Sequence, residues 1–491
     1  MSKKNIKNPK MCNLPLFFDT TLNPNNRWVR LASIIPWETV EEMYSKNFKG
    51  NKGPKPFPAR VALGSLIIQL KLNLSDEETV EQITENPYLQ YFIGFEEYQE
   101  EPPFDSSLMT HFRKRLSVDN INGLNELIHQ ESYKKTKSDD NDDNDDDPPN
   151  KGKLIVDATC APADIHYPTD LGLLNKAREK TEEVIDILWK RRSNKENKVK
   201  PKDYRKKARA RFIGVVSQKR PTKKKVRAAI RIQLNSISRN LKTIDKLLNY
   251  CELKELGSKL YKDLLVIQTL YLQQKEMFDK KKRNVKDRIV SIQQPHIRPI
   301  VRGKAGSPTE FGAKLSISLV DGWSFIDTIC FDAYNEGGEL QEQIEKYKER
   351  FGYYPESVHA DQIYRNKENR NFCKERSIRL SGPKLGRPTK NEVKLKEEKQ
   401  EERRDEGVRS AVEGRFGVIK RRYGLNKIMT KLQNTSKNVI ALLFLVMNID
   451  ALIDFLCQSF TRSSLLYRLL EAMLKGNKLS LENCYKLNAL S

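Results

Sequence analysis

The chain has 491 residues, and its 89 Lys and Arg against 65 Asp and Glu give a formal net charge of +24. A surface of this charge attracts polyanions in a salt-dependent way, so double-stranded DNA is the first candidate partner, although the excess can also be plain solvated surface. The seven cysteines show no close pairing and no metal-ligand spacing with the five histidines. This pattern argues against a disulfide framework and indicates free thiols in a reducing cytoplasm.

Residues 1–137 carry helical patterns that predict a helical N-terminal domain. Pro58 to Leu72 places apolar residues at helix spacing, Ser75 to Glu78 offers a capping box, and Phe104 to Ser107 precedes a basic helix. Short helices that end in a basic one suggest a helix-turn-helix-like DNA reader, with Arg113 and Arg115 as DNA contacts. The alternative is an ordinary helical domain with a charged face.

An acidic block at residues 138–150 separates this domain from the rest of the chain. Because like charges in such a run cannot bury apolar area, it is predicted to be a disordered linker. Binding of a metal or mimicry of DNA are the other interpretations of such a run.

After the linker, the pattern predicts an α/β domain made of residues 151–176 and 295–455, followed by a C-terminal helical tail at 456–491. The element order is β, β, β, α, β, α, β, α, which is typical of a mixed sheet flanked by helices. The predicted elements are strand Lys153 to Thr159, a hairpin of Phe311 to Val320 and Ser324 to Phe331 around Asp321-Gly322, helix Glu339 to Phe351 ended by Gly352, strand Ser357 to Ala360, helix Lys367 to Arg376 and strand Ile378 to Leu380.

Between the first strand and the hairpin lies a basic, helical insertion at residues 177–294. Basic segments such as Lys223 to Arg227 stand beside apolar residues at helix spacing from Ile230 to Leu248. One face is expected to pack while the other lies on DNA phosphates. A solvated helical hairpin or a dimer arm would show the same pattern.

The most apolar stretch, Val439 to Ile449, is interrupted by Asn448 and followed by Asp450. The N-terminus has no apolar core of signal-peptide length. We therefore expect a soluble intracellular protein without a membrane partner, whose late apolar helix is buried.

Three acidic residues have surroundings that point to chemistry. Asp157 lies in the apolar run Leu154 to Thr159. It is predicted to stand at the end of the first strand, Asp361 at the end of the strand that begins at Ser357, and Glu413 on a helix. Adjacent strands lie only about 5 Å apart, so the two aspartates can be neighbours although they are distant in sequence. Such carboxylates can hold two Mg²⁺ ions, with Mn²⁺ as a substitute, for phosphoryl transfer.

The helix around Glu413 places cations beside this carboxylate. Arg409, Glu413 and Lys420 project from one face, and Arg415 and Arg421 extend the positive surface. Val412, Phe416 and Ile419 form the predicted packing side. Taken alone, the segment could equally be an amphipathic surface helix with an Arg/Glu pair one turn apart.

With these residues, the chain resembles insertion-sequence transposases of the ribonuclease H-like DDE superfamily, in the broad group of insertion-sequence families four, five and eleven-eighty-two. The resemblance covers about Lys151 to Asp450, and Ala59 to Leu116 resembles the N-terminal domain of these transposases. The strings that carry it are Val156 to Thr159, Tyr167 to Leu171, Pro299 to Lys304, Thr309 to Lys314, Arg350 to Pro355, Ala360 to Tyr364, Leu380 to Pro388 and Val412 to Gly417.

The resemblance implies that Asp157, Asp361 and Glu413 are the DDE triad, which ligates the metal ions. Arg409, Glu413 and Lys420 match the Arg, Glu and Lys of the family's Tyr-x2-Arg-x3-Glu-x6-Lys signature, whereas Glu406 occupies the Tyr position. The implied fold is a ribonuclease H-like mixed sheet. The implied activity is Mg²⁺-dependent cleavage at terminal inverted repeats and strand transfer into target DNA by a homo-oligomer in the prokaryotic cytoplasm, at the nucleoid.

Two other functions fit the same residues: a metal-dependent nuclease that does not join DNA, and a non-catalytic DNA-binding protein derived from a transposase. Asp164 and Asp170 compete with Asp157 as ligands, although they lie in a loop with two prolines. The other candidate side chains are His359 as a ligand or base, Arg302 and Lys304 as phosphate contacts, and Trp323 as a base-stacking or packing residue.

Overall fold

The computed structural model describes residues 18, 22–46, 56–137, 150–191, 199–202, 204–301, 309–332, 334–383 and 392–474. They fall into two compact units. The first comprises Met1–Asp146, Trp323–Phe325 and Ala441–Ser491, and the second comprises Asp147–Gly322 and Ile326–Ile440. The predicted acidic linker lies outside the described residues except for Asn150, as do Arg302 and Lys304.

The first unit is helical, as the N-terminal pattern predicts. Asn73 ends α3 in the left-handed conformation, and Ser75 and Glu78 form the predicted capping box of α4. Its N-terminal helices are α1 (Arg27–Ile34), α2 (Trp37–Ser45), α3 (Ala59–Leu72), α4 (Asp76–Glu85), α5 (Pro87–Phe92), α6 (Leu108–Arg115) and α7 (Val118–Lys137).

The late apolar segment is part of a long helix, α15 (Gln433–Leu474), which belongs to the first unit from Ala441 onward. Residues Gln433–Asp454 are long and apolar enough to cross a membrane, but 78% of the most apolar window is buried inside the protein. A helix that is buried to this extent is typical of a protein core. The prediction that this helix is buried is confirmed.

The second unit contains a mixed sheet, as predicted. Its strands run in the order β2-β3-β1-β5-β6, and β4 pairs with β3. Strand β1 is antiparallel to β3 and parallel to β5, and β5 is parallel to β6. The strands are β1 (Lys153–Pro162), β2 (Arg298–Val301), β3 (Thr309–Val320), β4 (Trp323–Cys330), β5 (Ser357–His359) and β6 (Arg379–Leu380).

The predicted hairpin is present as β3 and β4, joined by Asp321 and Gly322. Both turn residues have positive φ angles, 48° and 80°. A two-residue turn of this kind needs left-handed conformations at both positions, which Asp-Gly supplies at little cost. Strand β2, which the sequence analysis did not predict, pairs with β3 from Arg298 to Val301.

Helices α8 (Asp170–Arg191), α9 (Arg205–Val216), α10 (Lys223–Leu248) and α11 (Gly257–Asp279) lie between β1 and β2. Apolar residues of α8, α10 and α11 form two buried clusters, which include the predicted packing residues Leu234, Ile237 and Ile244. Lys223 to Lys225 are exposed at the start of α10. The helices therefore pack through one face and present cations on another, as the insertion pattern predicts.

The remaining helices of the second unit cover the sheet. Helix α12 (Leu340–Phe351) ends at Gly352, which has a φ of 84° and the predicted left-handed cap. In the chain, helix α13 (Lys367–Glu375) connects β5 to β6. Helix α14 (Glu392–Arg422) packs against β1 and β5. The last of these carries Arg409, Glu413 and Lys420.

Candidate active site

The pairing of β1 with β5 makes Asp157 and Asp361 neighbours. Ile155 of β1 pairs with His359 of β5 at the end of the parallel ladder. Asp157 comes two residues after Ile155, and Asp361 two residues after His359. Residues two apart on a strand share a face, so both carboxylates point to the side of the sheet that α14 covers. Asp157 is in the middle of β1 rather than at its end as predicted, because β3 continues to pair with β1 as far as Pro162.

Asp157 is partly buried, and this changes its protonation. Burial is the main reason that the pKa of its carboxyl rises to about 6; the charges of Glu336 and Asp361 raise it further. A hydrogen bond of 2.7 Å from the backbone N–H of Ala158 and the charge of Arg409 act in the opposite direction. Carboxylates that repel one another in this way are suited to share a cation.

Asp361 is exposed where β5 ends. Its Oδ1 atom accepts a hydrogen bond of 2.7 Å from the backbone N–H of Gln362 and so caps the short 3₁₀ helix Gln362–Tyr364. The guanidinium of Arg365 donates to the carbonyl oxygen of Ala360 at 3.0 Å. These bonds fix the backbone on both sides of Asp361, which is itself exposed.

Glu413 approaches the same face of the sheet from α14. The predicted packing side is confirmed, since Val412, Phe416 and Ile419 are all buried. The Glu413 side chain is 58% exposed and its Oε1 atom lies 3.2 Å from Nη1 of Arg409. The charge of Arg409 also acts on Asp157 and lowers the pKa of that carboxyl.

An ion pair between the exposed Arg379 and the buried Asp405 links α14 to the sheet. Both nitrogens at the end of Arg379 donate to Asp405 at 2.9 Å, and Nδ1 of His359 lies 3.4 Å from the same carboxylate. Burial lowers the pKa of His359, which favours its neutral form, and Nε2 of the ring lies 3.1 Å from the Ser357 hydroxyl. His359 therefore connects the strand to the helix two turns before Glu413, as a packing residue.

The donor set of Asp157, Asp361 and Glu413 fits a hard cation such as Mg²⁺, which prefers carboxylate oxygens. Across the described residues, no three His, Cys, Asp or Glu side chains are close enough to hold a metal ion as they stand. Glu413 is paired with Arg409 instead, at 3.2 Å.

Glu336 is an acidic residue near this site that the sequence analysis missed. It lies in the 3₁₀ turn Glu336–Gly338 before α12, and its charge raises the pKa of Asp157. No periodic pattern surrounds it, so only the tertiary fold brings it to the aspartates. A signal was available in the adjacent Gly337-Gly338 pair, which marks a close turn.

The predicted cationic residues of α14 have different surroundings. Arg415 donates a hydrogen bond to the carbonyl oxygen of Gly322 at the hairpin turn, and burial lowers the pKa of its guanidinium. Arg421 is exposed and donates to the carbonyl oxygen of Gly417 at 3.1 Å, while Lys420 is half-buried. Arg421 is therefore the cation of this group that is most open to solvent.

Asp164 and Asp170, the competing acidic residues, are already paired. Asp164 lies 3.1 Å from Lys427, and Asp170, which begins α8 rather than lying in a loop, lies 2.7 Å from Arg288. Gln274 also donates to Asp170 at 2.9 Å. These pairings fix the ends of the helical segment and give both carboxylates a structural partner.

In the first unit, Trp323 is a packing residue. It is 7% exposed, its indole N–H donates to Oδ1 of Asn125 at 3.1 Å, and its ring lies edge-on to His129. Of the two interpretations of Trp323, the structure supports packing.

The predicted DNA contacts Arg113 and Arg115 also have internal partners. The Arg113 guanidinium donates two hydrogen bonds, of 2.8 and 2.5 Å, to the Asp76 carboxylate. The Gln69 side chain accepts a hydrogen bond from Arg113 and donates one to Asp76. Burial alone would raise the pKa of Asp76, but the hydrogen bonds from Arg113 and Gln69 outweigh it and hold the pKa below its usual value. Arg115 lies beside the buried Tyr44 hydroxyl.

We expect Arg113→Ala to lower the free energy of unfolding of the first unit by about 2 kcal/mol, between the values for exposed and fully buried ion pairs. Because the folded-state pKa of Asp76 is depressed, this contribution is present above about pH 4 and is lost as the pH falls below it. Urea unfolding at pH 7 and pH 3 measures both values. Lys114→Ala, an exposed change on the same helix, is the control; equal effects of the two variants would contradict a structural role for Arg113.

Comparison with known proteins is consistent with this geometry. Residues 358–450, which contain Asp361 and Glu413, match the family described as "Transposase DDE domain", and residues 17–115 match "Transposase domain (DUF772)". A relative from Rhizobium meliloti, "Uncharacterized protein ORF8 in nfe locus", is 36% identical over 159 residues, or 32% of this chain and 72% of the relative. No solved structure matches the chain significantly.

The fold and the matched segments define a protein of the transposase class, in which a DDE domain follows an N-terminal transposase domain. The chain belongs to the insertion-sequence DDE transposases.

Proposed function

We propose that this protein binds the terminal inverted repeats of its insertion sequence, hydrolyses the DNA at each end to expose a 3′ hydroxyl, and joins that hydroxyl to target DNA. Asp157, Asp361 and Glu413 are its DDE residues. The observation that carries the proposal is the pairing of Ile155 with His359, which sets Asp157 beside Asp361 under the helix that carries Glu413. The family match that spans Asp361 and Glu413 supports it.

The catalytic domain is a ribonuclease H-like sheet with a helical insertion after its first strand. The strand order β4-β3-β1-β5-β6, with β1 antiparallel to β3 and parallel to β5, supports this assignment. In such a sheet the two strands that carry Asp157 and Asp361 are adjacent at its centre. The third carboxylate must then come from a helix that packs on the same face, which is where α14 lies.

When bound, two Mg²⁺ ions, or Mn²⁺ in their place, activate the attacking oxygen and stabilise the leaving oxygen in an in-line displacement. Asp157 and Asp361 would hold the cations from the sheet, and Glu413 would be the third ligand, for which it would have to leave Arg409. This separation frees the Arg409 guanidinium to bind a DNA phosphate. Lys420, about three turns after Arg409 on α14, binds the DNA backbone on the same side.

The DNA substrate is double-stranded and contacts the basic surfaces of both units. On α14, Arg415 and Arg421 are further candidate DNA contacts near Lys420. Arg302 and Lys304, which precede the hairpin in the sequence, are also candidate phosphate contacts. Arg113 and Arg115 would contribute from the N-terminal helices only if DNA displaced their internal partners. Two DNA ends must be brought together for joining, so the active form is a homo-oligomer, acting on DNA in the cytoplasm.

The test is cleavage and joining of a labelled duplex that carries the element's own terminal repeats, with Mg²⁺ and a target plasmid. We expect joined products from the wild-type protein and none from Asp361→Asn. Cleavage without joining would make the protein a nuclease of the same class. Binding without cleavage by the wild type would indicate a non-catalytic DNA-binding protein, and cleavage that survives the substitution would place the site elsewhere.

A further inference from the structure

The helical insertion contains a basic arm, which we define as α9, the turn that follows it and the beginning of α10 (residues 205–227). The arm has eleven Lys and Arg and no Asp or Glu. Within the part of the chain that the structure describes, Arg205 is the only one of these cations in an ion pair, 2.8 Å from Asp186. The other cations have no carboxylate partner among the described residues, so their charge is available to a polyanion.

Helix α9 is held to the insertion by one side only. Ala208 is its one buried residue, and the Ala208 carbonyl oxygen accepts a hydrogen bond of 3.2 Å from Nε2 of Gln233 on α10. Oε1 of Gln233 accepts a hydrogen bond of 3.1 Å from the buried Arg178 of α8. These contacts fix the helix in place and leave most of its cations in solvent. The exposed cations of α9 are Lys206, Lys207, Arg209 and Arg211.

The beginning of α10 carries charge that is unfavourable for the free protein. Lys223, Lys224 and Lys225 are exposed in the first turn of this helix. The N-terminus of a helix has a partial positive charge, so cations are disfavoured there, and the lysines also repel one another. An anion bound at the arm would remove both costs. This placement argues against the interpretation of the insertion as a merely solvated hairpin.

The charge of the arm also argues against the interpretation as a dimer arm. A symmetric dimer contact places the same surface patch of both subunits against each other. Cations of the arm would then face cations, and like charges across an interface are strongly unfavourable. Of the three interpretations of the insertion pattern, contact with DNA phosphates is the one that this charge favours.

The composition of α9 indicates how it would contact DNA. Its sequence, RKKARARFIGVV, contains no Asn, Gln, Ser, Thr, Asp or Glu. Of the side chains that read base edges it therefore offers only Arg and Lys, whose main partners in DNA are the phosphates. Phosphate contacts are independent of sequence. Because the terminal repeats of an element have a fixed sequence, a surface without sequence readout is better suited to target DNA.

We propose that the basic arm binds the backbone of duplex DNA independently of its sequence and holds the target DNA. This inference rests on the proposed function, because only a protein that joins DNA needs a target. It gives a role to the insertion, which lies outside both segments that match transposase families.

The test compares two triple variants that lose the same charge. The arm variant combines Lys206→Gln, Lys207→Gln and Arg209→Gln, and the control variant combines Lys259→Gln, Lys262→Gln and Lys275→Gln at exposed positions on α11. Fluorescence anisotropy with a labelled duplex of arbitrary sequence, at several salt concentrations, measures the affinity and its salt dependence. These binding measurements need no cleavage or joining reaction.

We expect the arm variant to bind the arbitrary duplex roughly tenfold or more weakly than the wild type at low salt. The slope of log affinity against log salt concentration should become shallower by about 2.7, at about 0.9 for each of the lost phosphate contacts. The control variant should retain a slope close to that of the wild type. Equal changes of slope in the two variants would overturn the inference.

Two further measurements separate target binding from other causes. The affinity of the arm variant for a terminal-repeat duplex should change much less than its affinity for the arbitrary duplex, and equal losses would contradict a role in holding the target. A variant with Lys206→Arg, Lys207→Arg and Arg209→Lys keeps the charge and should bind like the wild type. If it binds as weakly as the arm variant, charge is not the cause and the inference fails. Cleavage and joining by the wild-type protein test the proposed function separately.

Discussion

Replacement of Asp157 by Asn is expected to reduce strand cleavage roughly 10³-fold or more, because a ligand that stabilises developing charge through a metal ion contributes several kcal/mol to the transition state. Binding of the terminal-repeat duplex should remain, since the substitution removes a negative charge from a site that faces DNA phosphates. Single-turnover cleavage with saturating protein measures the chemical step, and a filter-binding assay measures the affinity. Loss of binding in step with cleavage would contradict this assignment of Asp157.

The same substitution should stabilise the metal-free protein. The folded-state pKa of Asp157 is raised to about 6, so the ionised carboxylate opposes folding once the pH exceeds its unfolded value near 4. The penalty grows between about pH 4 and pH 6 and is complete above that range, where a shift of two pKa units corresponds to about 3 kcal/mol before solvent relaxation reduces it. Asp157→Asn should therefore unfold at higher urea than the wild type at pH 8 with a chelator, and at similar urea at pH 4.

A substitution that lowers the cleavage rate but raises the stability of the metal-free protein is diagnostic of a functional carboxylate. A residue kept only for packing would lose stability when replaced, whereas a residue kept for cation binding is costly until the cation arrives. Glu349→Gln, at an exposed position on α12, should change neither cleavage nor stability. A stability loss in Asp157→Asn at pH 8 would mean that the carboxylate is a structural acceptor.

The elements with strong local signals were predicted well from the sequence. The Asp321-Gly322 turn, the capping box at Ser75 and the cap at Gly352 each depend on a few adjacent residues, and each is present. Strand β2 was missed because it has only four residues, contains Pro299 and shows no alternation. The extent of β1 beyond Thr159 was missed because it depends on pairing with the distant β3.

The residues of the candidate site likewise differ in whether a local sequence pattern marks them. Asp157, Asp361 and Glu413 stand beside recognisable patterns, so their selection needed no contact information. Glu336 stands in an irregular turn, and its relation to Asp157 arises only when the Gly337 carbonyl docks on the asparagines of the next segment. The ion pair between Arg113 and Asp76 joins two different helices, so a basic helix pattern could not reveal it.

The stability of the first unit is expected to depend strongly on Asn448. It is fully buried on α15, where the sequence analysis noted it as an interruption of the apolar run. Its amide group donates to Oδ1 of Asn125 at 2.9 Å and to the carbonyl oxygen of Ser324 at 2.7 Å, and its Oδ1 atom accepts from the Ser324 backbone N–H at 3.1 Å. One side chain therefore joins three segments of the first unit that are far apart in sequence.

We expect Asn448→Leu to lower the free energy of unfolding of the first unit by about 2 to 3 kcal/mol, because the substitution leaves the buried Ser324 N–H without an acceptor. Asn448→Asp keeps the shape but buries a charge, so it should destabilise the unit further. Tryptophan fluorescence during urea unfolding mainly follows this unit, since three of the four tryptophans, Trp28, Trp37 and Trp323, belong to it. Asn434→Leu, at an exposed position of the same helix that belongs to the second unit, is the control. Equal shifts for the two leucine variants would show that the network contributes nothing beyond apolar burial, whereas a shift confined to Asn448 would show that a polar residue specifies how this otherwise apolar helix docks.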